Sequence, residues 1–221
     1  IYLLVRNFIQ EEFPTLLPFH QRTSDIIERW KQQEDLDRRN IIAEINTFPG
    51  PGQSIDPNYA ERIRLILEQR RLDVDIQSLV WEKFRNNLSE EAQKASFADC
   101  CGAISDALFD FRQDNEDISR QICQVIANLS TVRACIPKFG DAGCCPLLMQ
   151  VLRTFRSNLE TCLPACLAVM HLSTNPSNIS KFPRDSSRRD LMTVRDLHAG
   201  NAEISEYIRQ SITNIYGDGA R

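Results

Sequence analysis

The chain has 221 residues, 42% of them apolar and 25% charged, with a net charge of −4. That apolar share is ample for a core, while a mildly acidic balance argues against nucleic acid as a partner, which needs a basic face. No run of about 18 apolar residues is present, so no membrane span is expected, and no signal peptide is recognisable.

Ile1–Ile9 (IYLLVRNFI) reads as the inside of a helix, and residue 1 is Ile, so the expectation is a piece of a longer chain. Ser24–Phe48 opens on Ser24 and Asp25, a helix start signal. Ile26, Ile27 and Trp30, then Ile41, Ile42 and Ile45, are placed inward on one or two helices. Residues 1–50 are therefore a helical N-terminal extension or cap. FPGPGQSIDPN (Phe48–Asn58), with two Gly and three Pro, is a loop and the expected boundary.

From residue 54 the chain repeats itself. CQVIANLS at Cys123 and CLAVMHLS at Cys166 are similar octets 43 residues apart. Ile136, Lys138 and Phe139 recur as Ile179, Lys181 and Phe182, and RQSITNIY from Arg209 continues the register. DCCGAISDALFDF (Asp99–Phe111) aligns with GCCPLLMQVLRTF (Gly143–Phe155), and YAERIRLILEQ supplies an earlier helix with Ile63, Ile66 and Leu67 inward. The spacing gives about four units, 54–97, 98–139, 140–182 and 183–221. Such a period in helical units means a stack with a continuous core.

The unit from Ala142 to Phe182 is the best preserved. Leu147, Leu148, Val151, Leu152 and Phe155 make one helical stripe, and Cys162, Ala165, Cys166, Val169 and Leu172 a second. Pro164 suits a first helical turn, which places that helix start near Thr161. A short third helix is expected at Ile179–Phe182. After Phe182-Pro183 the pattern turns abruptly to RDSSRRDLMTVR, read as a charged loop.

AGCCPLLMQVL (Ala142–Leu152) and CQVIANLS at Cys123 resemble the armadillo repeat family, matching its Ala-Gly-x-x-Pro-x-Leu-x-x-Leu-Leu second-helix opening and its third-helix signature. The resemblance covers about residues 54–221 and implies an all-α, right-handed α-solenoid. It also implies a non-enzymatic scaffold or adaptor that holds an extended peptide or partner helix in a concave groove. In that family the third helix lines the groove and its Asn bonds the ligand backbone. The corresponding ladder here is Asn87, Asn128, His171 and Asn214, with Gln124 and Gln210 one turn earlier. An amide suits that task because it both donates and accepts. The family's Trp four residues before the Asn is replaced by Lys83, Gln124, Leu167 and Gln210, so a nuclear-import type of clamp on a basic peptide does not carry over. The bland reading is that these side chains tie neighbouring helices together.

Other readings stay open. A cytoskeletal or ciliary component bound through edges and ends would expose an apolar patch near Ile1–Ile9 or Leu16-Leu17. A small-GTPase regulator would bind according to nucleotide state. Arg184, Arg188, Arg189 and Arg195 form a basic patch able to dock an acidic partner, an anionic lipid or a phosphate, and Ser186 and Ser187 are placed to be phosphorylated there.

No phosphate loop, Gly-x-Ser-x-Gly elbow or His-Glu-x-x-His motif is present, and His20, His171 and His198 are scattered. No cofactor or metal is expected. The eight cysteines form no C-x-x-C pair, and the adjacent pairs Cys100-Cys101 and Cys144-Cys145 recur at matching repeat positions, which fits small buried side chains in a reducing cytoplasm. The Asn-x-Ser sequons at Asn87, Asn128 and Asn178 are treated as accidental.

Overall fold

The computed structural model describes residues 17–48, 58–86, 88 and 91–217. The chain divides into two compact units, between Thr47 and Phe48. The described residues contain helices and no strand.

The first unit contributes one long helix, α1 (Leu17–Asn46). It runs unbroken through Ser24, so the start signal there is overridden. The inward placement of Ile26 and Trp30 is also corrected, since they are 59% and 79% exposed. A lone amphipathic helix has no described neighbour within its unit to cover that face.

The second unit is an all-α solenoid. Its helices are α2 (Tyr59–Gln69), α3 (Val74–Asn86), α4 (Glu91–Ser96), α5 (Cys101–Phe111), α6 (Glu116–Leu129), α7 (Cys135–Asp141), α8 (Cys144–Thr154), α9 (Leu159–Leu172), α10 (Pro176–Ile179), α11 (Arg184–Leu197) and α12 (Ala202–Tyr216). They form successive triplets. The long last members α3, α6, α9 and α12 stack in a row, α9 packing along both α6 and α12.

Local chemistry fixes the ends of this row. Asn115, Asn158 and Asn201, each 43 residues from the next, cap α6, α9 and α12 by accepting backbone N–H groups at 3.0, 2.9 and 2.9 Å. Asp73 accepts from Ile76 N at 3.1 Å in the same way for α3. Such caps contribute about 1 kcal/mol each. With its cap at Asn158, α9 begins two residues earlier than the sequence suggests, and Pro164 lies inside the helix. The short helix α10 likewise starts at Pro176, the favoured first position, with Asn175 as cap, and ends at Ile179 rather than Phe182. Gly143 adopts φ 75° at the α7–α8 corner, a conformation that costs other residues strain.

The expected stripes face the core. Leu147, Leu148, Val151 and Leu152 are buried, as are Cys162, Ala165, Cys166, Val169 and Leu172. All eight cysteines are free and buried. Burial pushes the Cys100, Cys145 and Cys162 thiols up to about 12, which makes them packing groups rather than nucleophiles. Near its first helices the unit is filled by aromatics. Phe48, Tyr59, Phe97 and Phe84 form a chain of ring contacts at 4.8, 5.6 and 4.5 Å. Trp81 joins it, its indole N–H bonded to Gln77 at 2.9 Å.

Arg184–Arg195 is not a loop. Those residues form most of α11, whose buried positions Ser187, Asp190, Leu191 and Val194 are spaced three and four apart. Its outward charges hid that stripe. The second helices are joined in turn by side chains: Arg71 bonds Asp110, Arg112 bonds Gln150 and Arg153 bonds Asp190.

Candidate peptide-binding groove

The row α6, α9 and α12 lines an open groove of about 470 Å³. Ala127, Leu163, Pro164 and Leu167 give it an apolar floor, and Gln124 and Asn128 stand on the α6 side. Leu167 occupies the position where the family's Trp would stand. Tyr207 of α12 closes one flank. Arg120 and Glu160, 3.6 Å apart across the groove, offset each other's charge.

The predicted ladder divides into two kinds of residue. Gln124 and Asn128 are half-buried, and among the described residues their side-chain amides have no hydrogen-bond partner. Both face the groove. The others engage the protein itself. Asn214 donates from Nδ2 to Ser173 Oγ at 3.1 Å, which ties α12 to the end of α9. Gln210 donates to the Glu206 carboxylate, which also pairs with Arg209 at 2.6 Å. These contacts hold Glu206 down at about 2, the Arg209 hydrogen bond being the larger cause. His171 is half-buried, and burial with the nearby Lys94 charge lowers its pKa. Asn87 lies outside the described residues, as do Ile1–Ile9 and the Leu16-Leu17 side chains.

The basic patch also divides. Arg188 and Arg195 line a second cavity, between α11 and α12, together with Arg209, which the sequence reading did not single out. Arg184 and Arg189 are exposed and do not line it; Arg189 Nε is 3.8 Å from Asp190 Oδ1. Ser187 is buried and Ser186 half-buried, the latter accepting from Arg153 at 3.2 Å. Asn178 is fully buried, which excludes it as a glycan acceptor in the fold.

Among the described residues no group of three His, Cys, Asp or Glu side chains is arranged to hold a metal. No described helix is long and apolar enough to cross a membrane.

This architecture is that of an armadillo-like repeat solenoid. A designed armadillo repeat protein in complex with peptide (KR)4 superposes with a TM-score of 0.57 at 18% identity, over 72% of this chain and 64% of that one. Two engineered proteins match with TM-scores of 0.57 at 15% identity, again over 72% of this chain and over 67% and 40% of theirs. The chain thus spans about two thirds or less of the structures it resembles. At these identities the likeness is one of fold. No protein-family profile matches the chain, and no curated protein matches it in sequence.

Proposed function

We propose that this protein is a non-enzymatic protein-binding scaffold, whose groove along α6, α9 and α12 holds an extended peptide or a partner helix. The observation that carries the reading is the pair Gln124 and Asn128, two amides without a described partner above an apolar floor. An unpartnered amide at a half-wet surface can bond a strand's N–H and C=O together, and each such bond contributes about 0.5–1.5 kcal/mol. The floor takes an apolar ligand side chain. The designed neighbour is complexed with a Lys-Arg peptide. In this groove Leu167 replaces the aromatic and the single carboxylate Glu160 already faces Arg120, so a neutral, apolar-bearing peptide fits better than a basic one. Eight buried free thiols suit a reducing compartment, which is the basis for placing the protein in the cytoplasm.

The test is selection from a displayed library of linear peptides on the native chain. Selected peptides are then titrated against Gln124→Ala/Asn128→Ala. Loss of at least about tenfold in affinity, with unchanged circular dichroism, supports the groove. Equal binding to the double variant overturns it. Binding that instead tracks the nucleotide state of a GTPase moves the protein to that regulator class.

A further inference from the structure

We propose that the cleft between α11 and α12 is a second docking site, built for an acidic amphipathic helix of a partner protein. The cleft encloses about 590 Å³. Its apolar floor is Met192, Ile208 and Ile212, and its rim carries Arg188, Arg195 and Arg209.

The repeat register shows what shape of ligand this surface accepts. Counting back 43 residues, Met192 stands where the preceding unit has Met149, Ile208 where it has Ala165, and Ile212 where it has Val169. Arg188, Arg195 and Arg209 stand where it has Cys145, Leu152 and Cys166. All six residues of the preceding unit are buried, in helices α8 and α9 that pack against α11 and α12. The cleft therefore has the form of a surface that receives helices.

Its chemistry selects which helix. Three positions that the previous unit fills with Cys or Leu carry guanidinium groups. Another apolar repeat laid here would bury three cations against apolar groups, at a heavy desolvation cost. A helix with carboxylates flanking an apolar stripe satisfies both floor and rim, because guanidinium and carboxylate pair in bidentate geometry. A second copy of this surface is disfavoured, since a two-fold contact sets arginines against arginines. The present partners of two of these cations are exposed neighbours on their own helices. Arg195 contacts Asp196 at 3.0 Å and Arg209 contacts Glu206 at 2.6 Å. Exposed pairs of this kind are weak and readily exchanged.

The experiment uses the whole chain and a displayed library of amphipathic helices with a fixed leucine stripe. Flanking positions are randomised among Glu, Lys, Ser and Gln. The expected result is enrichment of Glu, with affinity falling at least about tenfold in Arg188→Glu/Arg195→Glu/Arg209→Glu and falling with added salt. The same triple variant is expected to shift enrichment to Lys, and Gln124→Ala/Asn128→Ala to leave binding unchanged. If the triple variant loses its helical signal, Arg188→Glu and Arg209→Glu are tested singly, each expected to cost at least about threefold. Failure to select helices above background, absence of a charge preference, or indifference to charge reversal overturns the proposal. So does Arg-dependent binding of phosphatidylserine vesicles without any selected helix, which assigns the rim to a membrane surface.

Discussion

Gly140 of α7 lies directly beneath the buried side chain of Asn178 of α10, so that a Cβ at position 140 would overlap Asn178 Oδ1 and Cγ. The Asn178 amide donates to Ile136 O at 2.9 Å and Leu172 O at 3.2 Å, binding consecutive short helices to the end of α9. Only a residue without a side chain fits there. Gly140→Ala is expected to cost about 1–3 kcal/mol through overpacking. Asn178→Ala is expected to cost a similar amount, because it removes two side-chain hydrogen bonds and leaves Leu172 O with the 3.4 Å bond from Asn175 N. The double variant should cost less than the sum, since truncating Asn178 makes the room that a methyl group on residue 140 needs. Thermal melts of the four proteins check this, and additive losses would refute the contact.

A second relation crosses the third helices. Asn214 donates to Ser173, whereas one unit earlier His171 and Ser130 hold the corresponding positions, and among the described residues the buried Ser130 hydroxyl has no partner. His171→Asn should supply that bond and stabilise the protein by about 1 kcal/mol at pH 8. The gain should widen in acid. Burial, with the Lys94 charge second, holds His171 below the ordinary histidine value. The folded state therefore takes up this proton less readily than the unfolded one. Stability from this residue is complete above about pH 6.5 and declines as pH falls from there through the lowered folded value. Urea melts at pH 8 and pH 5.5 measure both effects. An unchanged variant at pH 8 sinks the hydrogen-bond argument.

These details mark where the sequence is readable. The repeat shows in Cys123 and Cys166 because their helices keep apolar side chains at fixed spacing, and packing demands that spacing wherever units stack. α11 reads as a loop because its outer face is charged and its buried face includes Ser187 and Asp190, residue types common in loops. Asn201, the third of the Asn caps that recur every 43 residues, marks the start of α12 and so brackets α11 within the repeat register. The ladder is visible as residue types but not as roles. Asn128 and Asn214 look alike in sequence, and only the position of Ser173 separates a free amide from a structural tie. The inward face assigned to Ile26 and Trp30 fails because periodicity reports an apolar stripe without saying what covers it.

That separation gives a differential test within the groove. Gln124→Ala and Asn128→Ala break no described side-chain bond, so each should change stability by less than about 0.5 kcal/mol. Asn214→Ala removes the bond to Ser173 and should cost about 1 kcal/mol. Chemical denaturation of the three variants decides the matter. A loss at Asn128 equal to that at Asn214 would make the whole ladder structural and withdraw the main support for groove binding.

The last join between second helices has a nearly buried carboxylate. Asp190 is 8% exposed and accepts from Arg153 Nη2 at 2.6 Å and Nε at 3.2 Å, while the Arg153 side chain is about half exposed. Removing the arginine leaves a nearly buried carboxylate whose remaining described cation is the more distant Arg189. Arg153→Ala should cost about 1–3 kcal/mol, less than for a fully buried pair because water reaches the guanidinium. Asp190→Leu restores an apolar side chain at the position that Leu147 holds one unit earlier, and should recover stability in the Arg153→Ala background. Melts of the single and double variants test the pair. If Asp190→Leu is as damaging without Arg153 as with it, the carboxylate has a role other than receiving that arginine.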